Sequence, residues 1–139
     1  MLDLKGVNYP RLSDIVIFGG GIGLRVSGGT VVESHYGAFY NVDISRCFVG
    51  IAIENGNLTQ SHTFCGGRHW DSVEAYENRA GTSDINFVGC QFESTRAARH
   101  ITDGTTLFVE ASTKFYGCRD ESSLPPEMPI GYFSQTDCQ

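Results

Sequence analysis

Short apolar runs broken by glycine set the pattern of this chain, and five of them share one form. They are Ile17-Phe18-Gly19-Gly20, Ile44-Ser45-Arg46-Cys47, Phe64-Cys65-Gly66-Gly67, Phe87-Val88-Gly89-Cys90 and Phe115-Tyr116-Gly117-Cys118. In each, a large apolar residue is followed three places later by glycine or cysteine. In three of them an aliphatic residue also stands two places before the first (Ile15, Val42 and Ile85). Successive marks lie 27, 20, 23 and 28 residues apart. A recurrence at that interval suits a solenoid whose coils are built from short strands. Alternate side chains of each strand would point inward, and the small residue would sit where the coil bends. Stacked at about 4.8 Å per coil, equivalent residues would form ladders, with Ile44, Phe64, Phe87 and Phe115 in one and Cys47, Cys90 and Cys118 in another. Uneven spacing is absorbed by loops that leave the coil.

Further strands are expected at Leu24-Arg25-Val26, Thr30-Val31-Val32, residues 49–53 and Leu107-Phe108-Val109. The stretch from Asp71 reads either as a capping box opening a short helix or as a strand alternating Val73, Ala75 and Glu77; strand or loop is the reading kept. Pro125, Pro126 and Pro129 cannot continue a central strand. The chain thus divides into an N-terminal cap or linker (1–14), a β-solenoid of about five coils (15–121) and a proline-rich tail (122–139).

Composition agrees with an all-β chain. Glycine supplies 17 of 139 residues, above the usual share of roughly 7%. Lysine occurs twice and alanine seven times, so good helix formers are scarce. A net charge of −6 argues against wrapping nucleic acid or anionic lipid. No window has the length and apolarity of a membrane span, and the start lacks the pattern of a secretory signal. The five cysteines, an odd number without CxxC spacing, are expected to be mostly reduced, packed thiols.

Residues 13–20, 49–56 and 83–93 resemble coils of right-handed parallel β-helices, closest to pectate-lyase-like proteins and bacteriophage tailspikes. The likeness covers about residues 13 to 120. It implies a receptor-binding protein of a phage tail that docks on bacterial surface polysaccharide and often cleaves it. It also implies a homotrimer, assembled in the host cytoplasm and carried on the virion. This chain is short beside complete tailspikes.

Glycan hydrolysis needs two carboxylates, one of them protonated, at a separation set by mechanism. Asp71, Glu74, Glu77 and Asp84 are the catalytic candidates, with Asp43, Glu54 and Glu93 also expected near the surface. Glu74 or Glu77 would be the acid and Asp84 or Asp71 its partner. His69, Trp70, Tyr76 and Arg79 are the glycan-binding candidates, because sugars offer C–H faces to aromatic rings and hydroxyls to forked polar groups. The plainer alternative for this segment is a solvated loop with Trp70 folded against the solenoid. Arg96, Arg99 and His100 form the densest basic cluster, as an exposed turn or as the neutralising group of a lyase. His62, Cys65 and His69 have ligand chemistry, but Cys65 alternates with the inward Phe64, so no metal or other cofactor is expected. The glycines at 19–21 and 23 follow a strand without a Gly-Lys-Ser/Thr run, which favours tight turning over a phosphate loop. A purely structural spacer in a larger particle is the remaining alternative.

Overall fold

The computed structural model describes residues 1–54, 59–72, 74–78, 84–93 and 113–121. All their regular structure is strand: β1 (Leu2–Lys5), β2 (Arg11–Ser27), β3 (Ser34–His35), β4 (Ala38–Glu54), β5 (Thr59–Gln60), β6 (His62–Cys65), β7 (Arg68–Trp70), β8 (Glu74–Asn78), β9 (Ile85–Val88), β10 (Gln91–Glu93), β11 (Thr113–Tyr116) and β12 (Arg119–Glu121). Every pairing is parallel and joins residues 22 to 28 apart in sequence. That is a parallel β-solenoid, as the spacing of the apolar marks required.

Three faces make each coil. The first is formed by the starts of β2 and β4 with β6, β9 and β11. The second takes the middles of β2 and β4 with β7, β10 and β12. The third takes β1, the ends of β2 and β4, and β8. All three faces occur together in the coils of β2, of β4 and of β6–β8, which makes about three turns, where the sequence pattern led to five. Beyond them, the described residues of β9–β12 extend the first two faces.

The bends explain how a chain so poor in proline turns so often. Tyr9, Tyr36 and Ser61 stack at the first corner, Asp14, Asn41, Gly66, Gly89 and Gly117 at the second, and Gly19, Arg46 and Asp71 at the third; all have φ between 49° and 75°. Within a coil, the second corner follows the first and the third follows the second by five residues, as in Tyr36, Asn41 and Arg46. Left-handed backbone is tolerated best by Gly, Asn and Asp, and the second corner uses no other residue. Asn41 Nδ2 also donates to Asp14 Oδ1 at 3.1 Å, so the corner is tied between coils.

Inside, the first face carries Phe39, Phe64, Phe87 and Phe115 in one column, with successive ring centroids 4.4, 5.0 and 5.2 Å apart and planes within 18° of parallel. This corrects the expected ladder: Ile44 pairs with Ile17 and His69 on the second face, and Phe39 takes its place. Cys47 likewise pairs with Gly20, whereas Cys90 and Cys118 share a corner with Val42 and Gly67. The reason is the five-residue side. A large residue followed by a small one recurs on more than one face of the same coil, so the marks mixed two faces.

Strands were expected at residues 24–26 and 49–53, and β2 and β4 contain them. Thr30, Val31 and Val32 are not in a strand, and Val31 and Val32 are exposed. The stretch kept as strand or loop after Asp71 contains β8. Cys47, Cys65, Cys90 and Cys118 are free thiols, and all but Cys65 are buried. Residues 94–112 and the tail 122–139 lie outside the described residues, and with them Leu107, Cys138 and the Arg96, Arg99 and His100 cluster.

Phe87 touches Phe64, Phe115, His69, Tyr76 and Phe92, so it joins all three faces. Phe87→Ala is expected to cost about 3–5 kcal/mol in urea unfolding. Phe48→Ala, at an exposed position, is expected to stay within about 0.5 kcal/mol of the parent.

Candidate functional site

The aromatic and acidic segment around Trp70 divides between the inside and the outside of the solenoid. His69 and Tyr76 are buried, at 1% exposure each, and so have no surface to offer a ligand. Tyr76 packs edge-on against Phe87, and its hydroxyl pairs with Thr113 Oγ1 at 3.0 Å. His69 stacks on Phe92 at 5.1 Å, and among the described residues neither ring nitrogen has a hydrogen-bond partner. Burial pushes its pKa down to about 4. Trp70 is half-buried on the second face, with the Arg68 guanidinium 4.9 Å above its ring.

The carboxylates are spread over different sides of the coil. Asp71 is exposed at the third corner, Glu77 sits half-buried on the third face beside Ala52, and Asp84 is exposed at the entry to β9 on the first. The Glu74 backbone lies in β8, but its side chain, like the whole of Arg79, is outside the described residues. The remaining acids are engaged in ties between coils. Asp43 Oδ1 accepts the Arg68 N–H at 2.8 Å, Glu93 pairs with the Arg68 guanidinium, and Glu54 lies 3.4 Å from Arg25. Among the described residues no three His, Cys, Asp or Glu side chains converge as metal ligands. His62 and Cys65 are separated by the wall itself, one turned inward and one half-exposed.

Among the described residues, one concave surface away from this segment lies on the first face. There an open cavity of about 480 Å3 is lined by Tyr36, Gly37, Ala38, Tyr40, Ser61, Thr63, Asp84 and Asn86. Its architecture follows from the register. Thr63 and Asn86 form an outward row beneath Ala38, and Lys114 continues it. Tyr36 and Tyr40 are two residues to either side of Ala38, so their half-exposed rings bracket that row. Tyr9 stacks on Tyr36 at 5.8 Å with planes 14° apart and extends the aromatic wall. Asp84 is partnered by Lys114 Nζ at 3.7 Å, both well exposed.

Tyr36 is held in left-handed backbone, an unusual conformation for a bulky residue. Its N–H donates to the Gln60 carbonyl at 3.2 Å, and its own carbonyl accepts from the Arg11 guanidinium. His62, buried behind it, accepts the Gly37 N–H on Nδ1 at 3.0 Å; Nε2 therefore carries the proton and donates to the Ser34 carbonyl at 3.0 Å. Gly37 has no alternative here, because a Cβ would run into His62 Nδ1 and lie 2.8 Å from the Phe39 ring.

Of these lining residues only Asp84 was expected from sequence. The tyrosines gave a usable sign: Tyr36 and Tyr40 flank Phe39, so that strand alternation turns Tyr40 outward once Phe39 is placed inside. Comparison of the chain with protein-family models, with curated proteins and with solved structures finds no match.

His69 gives the second prediction. An imidazole buried without partners costs about 1–3 kcal/mol, so His69→Leu, similar in volume, is expected to raise the urea midpoint at pH 7. The folded-state pKa values of His62 and His69, about 4 against an ordinary 6.5, mean that the unfolded chain binds more protons between these values. Stability is therefore expected to fall as pH drops from about 6.5 to about 4. In His69→Leu roughly half of that loss should disappear, as read from unfolding curves across the window.

Proposed function

We propose that this chain is a tailspike-like adhesin, a right-handed β-helix that docks on bacterial surface polysaccharide through the groove on its first face. The observation that carries the reading is the pair of half-exposed tyrosines, Tyr36 and Tyr40, bracketing a floor of small and hydrogen-bonding side chains. Rings that face a polar row match a sugar, which offers a C–H face and a set of hydroxyls to the same surface. Ser61, Thr63 and Asn86 supply both donors and acceptors. Asp84 is the one carboxylate among the described residues lining the cavity, whereas the two-carboxylate mechanisms need a pair. Docking is thus preferred to cleavage.

The likeness of residues 13–20, 49–56 and 83–93 to tailspike coils supports the wider setting: a homotrimer of a phage tail, assembled in the host cytoplasm. The four free thiols among the described residues suit a reducing place of assembly.

The test is calorimetric titration of the chain with capsule and O-antigen oligosaccharides. For a glycan that binds, Tyr36→Ala and Tyr40→Ala are each expected to weaken affinity tenfold or more, equivalent to about 1.4 kcal/mol. Trp70→Ala, on the second face, tests the other aromatic surface, and its effect is expected to stay within about twofold. A glycan lost with Trp70 but retained without the tyrosines would move the site to the second face. Light scattering on a size-exclusion peak is expected to give three times the chain mass.

A further inference from the structure

The groove's first wall depends on a buried titratable group. Tyr36 stands between Ser34 and Gly37, and one imidazole grips both of those residues. We propose that His62 is the latch of this wall: neutral, it holds residues 34–37 in the strained turn that presents Tyr36, and on taking up a proton it releases them. As regulation of the groove, this rests on the docking reading above.

The geometry leaves a protonated His62 no place in the turn. Nδ1 faces the Gly37 N–H at 3.0 Å and must accept. With a proton on Nδ1, two donors would oppose each other in a site closed to water, since His62 is fully buried. The Gly37 carbonyl is tied to Thr63 N–H at 2.9 Å and His62 N–H to the Asp84 carbonyl at 3.0 Å, so the strand beneath is fixed. The segment that yields is the turn. Its left-handed tyrosine is already unfavourable backbone.

Among the described residues, the titratable and charged groups on the surrounding elements are His35 in β3, Glu33 just before it, Arg11 at the start of β2 and Asp84 before β9. Glu33 Oε2 lies 3.5 Å from His35 Nδ1. Burial pushes the His62 pKa down to about 4; the Ser34 carbonyl opposes this, and the nearby His35 adds to it. The latch therefore stays closed at neutral pH. If residues 34–37 open, His62 regains an ordinary pKa near 6.5, and acid favours the open turn.

Amide hydrogen exchange by NMR tests this without any glycan. After correction for intrinsic rates, opening at Gly37 is expected to rise on the order of twentyfold between pH 7 and pH 5, from the two pKa values. Gly37 should exchange faster than Ile51 of β4 at both pH values, which marks a local event. His62→Gln keeps a donor and an acceptor but does not titrate, and should abolish the pH response. His35→Gln, which removes the turn's other imidazole, should keep it. In the parent protein the imidazole 15N shifts of His62 should titrate with the same midpoint as the Gly37 amide, a measurement that stands even if His62→Gln fails to fold. Gly37 protection that is equal at the two pH values, that matches Ile51 at both, or that responds equally in His62→Gln would overturn the latch. A responsive Gly37 in a protein that binds no glycan at any pH would support the latch and remove the docking reading.

Discussion

The face-to-face stacking of one phenylalanine per coil, Phe39 on Phe64 on Phe87 on Phe115, sets everything outside it. Parallel strands could slip against one another at the cost of a few hydrogen bonds, but a one-residue slip would turn each of these rings into solvent. The rings therefore fix the register, and the register fixes which outward side chains stand in a row. Ala38, Thr63, Asn86 and Lys114 are neighbours because Phe39, Phe64, Phe87 and Phe115 are. The floor of the groove is the outer print of the aromatic column.

The five-residue spacing of left-handed corners has the same authority over direction. A side of five residues turns inward only one or two side chains, so each coil commits one large residue per short face: Phe39 and Ile44, Phe64 and His69, Phe87 and Phe92. His69 occupies one of these positions as an imidazole without partners, and its aromatic shape fits where its nitrogens do not. Local chemistry there conflicts with the column it joins.

Much of this was legible before the structure. Strand-sized runs, recurring small residues and intervals of 20–28 residues read correctly as a parallel solenoid, because coil length and inward alternation are both written in apolar positions. The face assignment was not legible, since a five-residue side repeats the same large-then-small motif within one coil and nothing in the motif labels the face. Ile44 and Cys47 were misplaced for that reason. At the site, chemistry was sought where aromatic and acidic letters were densest, around Trp70. Density along the chain has little bearing on proximity when neighbours in space lie one coil apart. Tyr76 and His69 are close to Trp70 in sequence and face the other way. Tyr36, Ser61 and Asp84 are scattered across almost fifty residues and stand in a single line.

The third side of the coil has no such ruler. From third corner to next first corner the chain takes 17 residues between Gly19 and Tyr36, 15 between Arg46 and Ser61, and 13 from Asp71 to the equivalent Asp84. Two sides of constant length and one of variable length make the coil a clamp with a free arm. Residues can be gained or lost on that arm without moving any outward position of the first face. The molecule can therefore acquire new surface, even whole loops, on one side while its groove keeps the same geometry, so that the two sides are free to evolve separately.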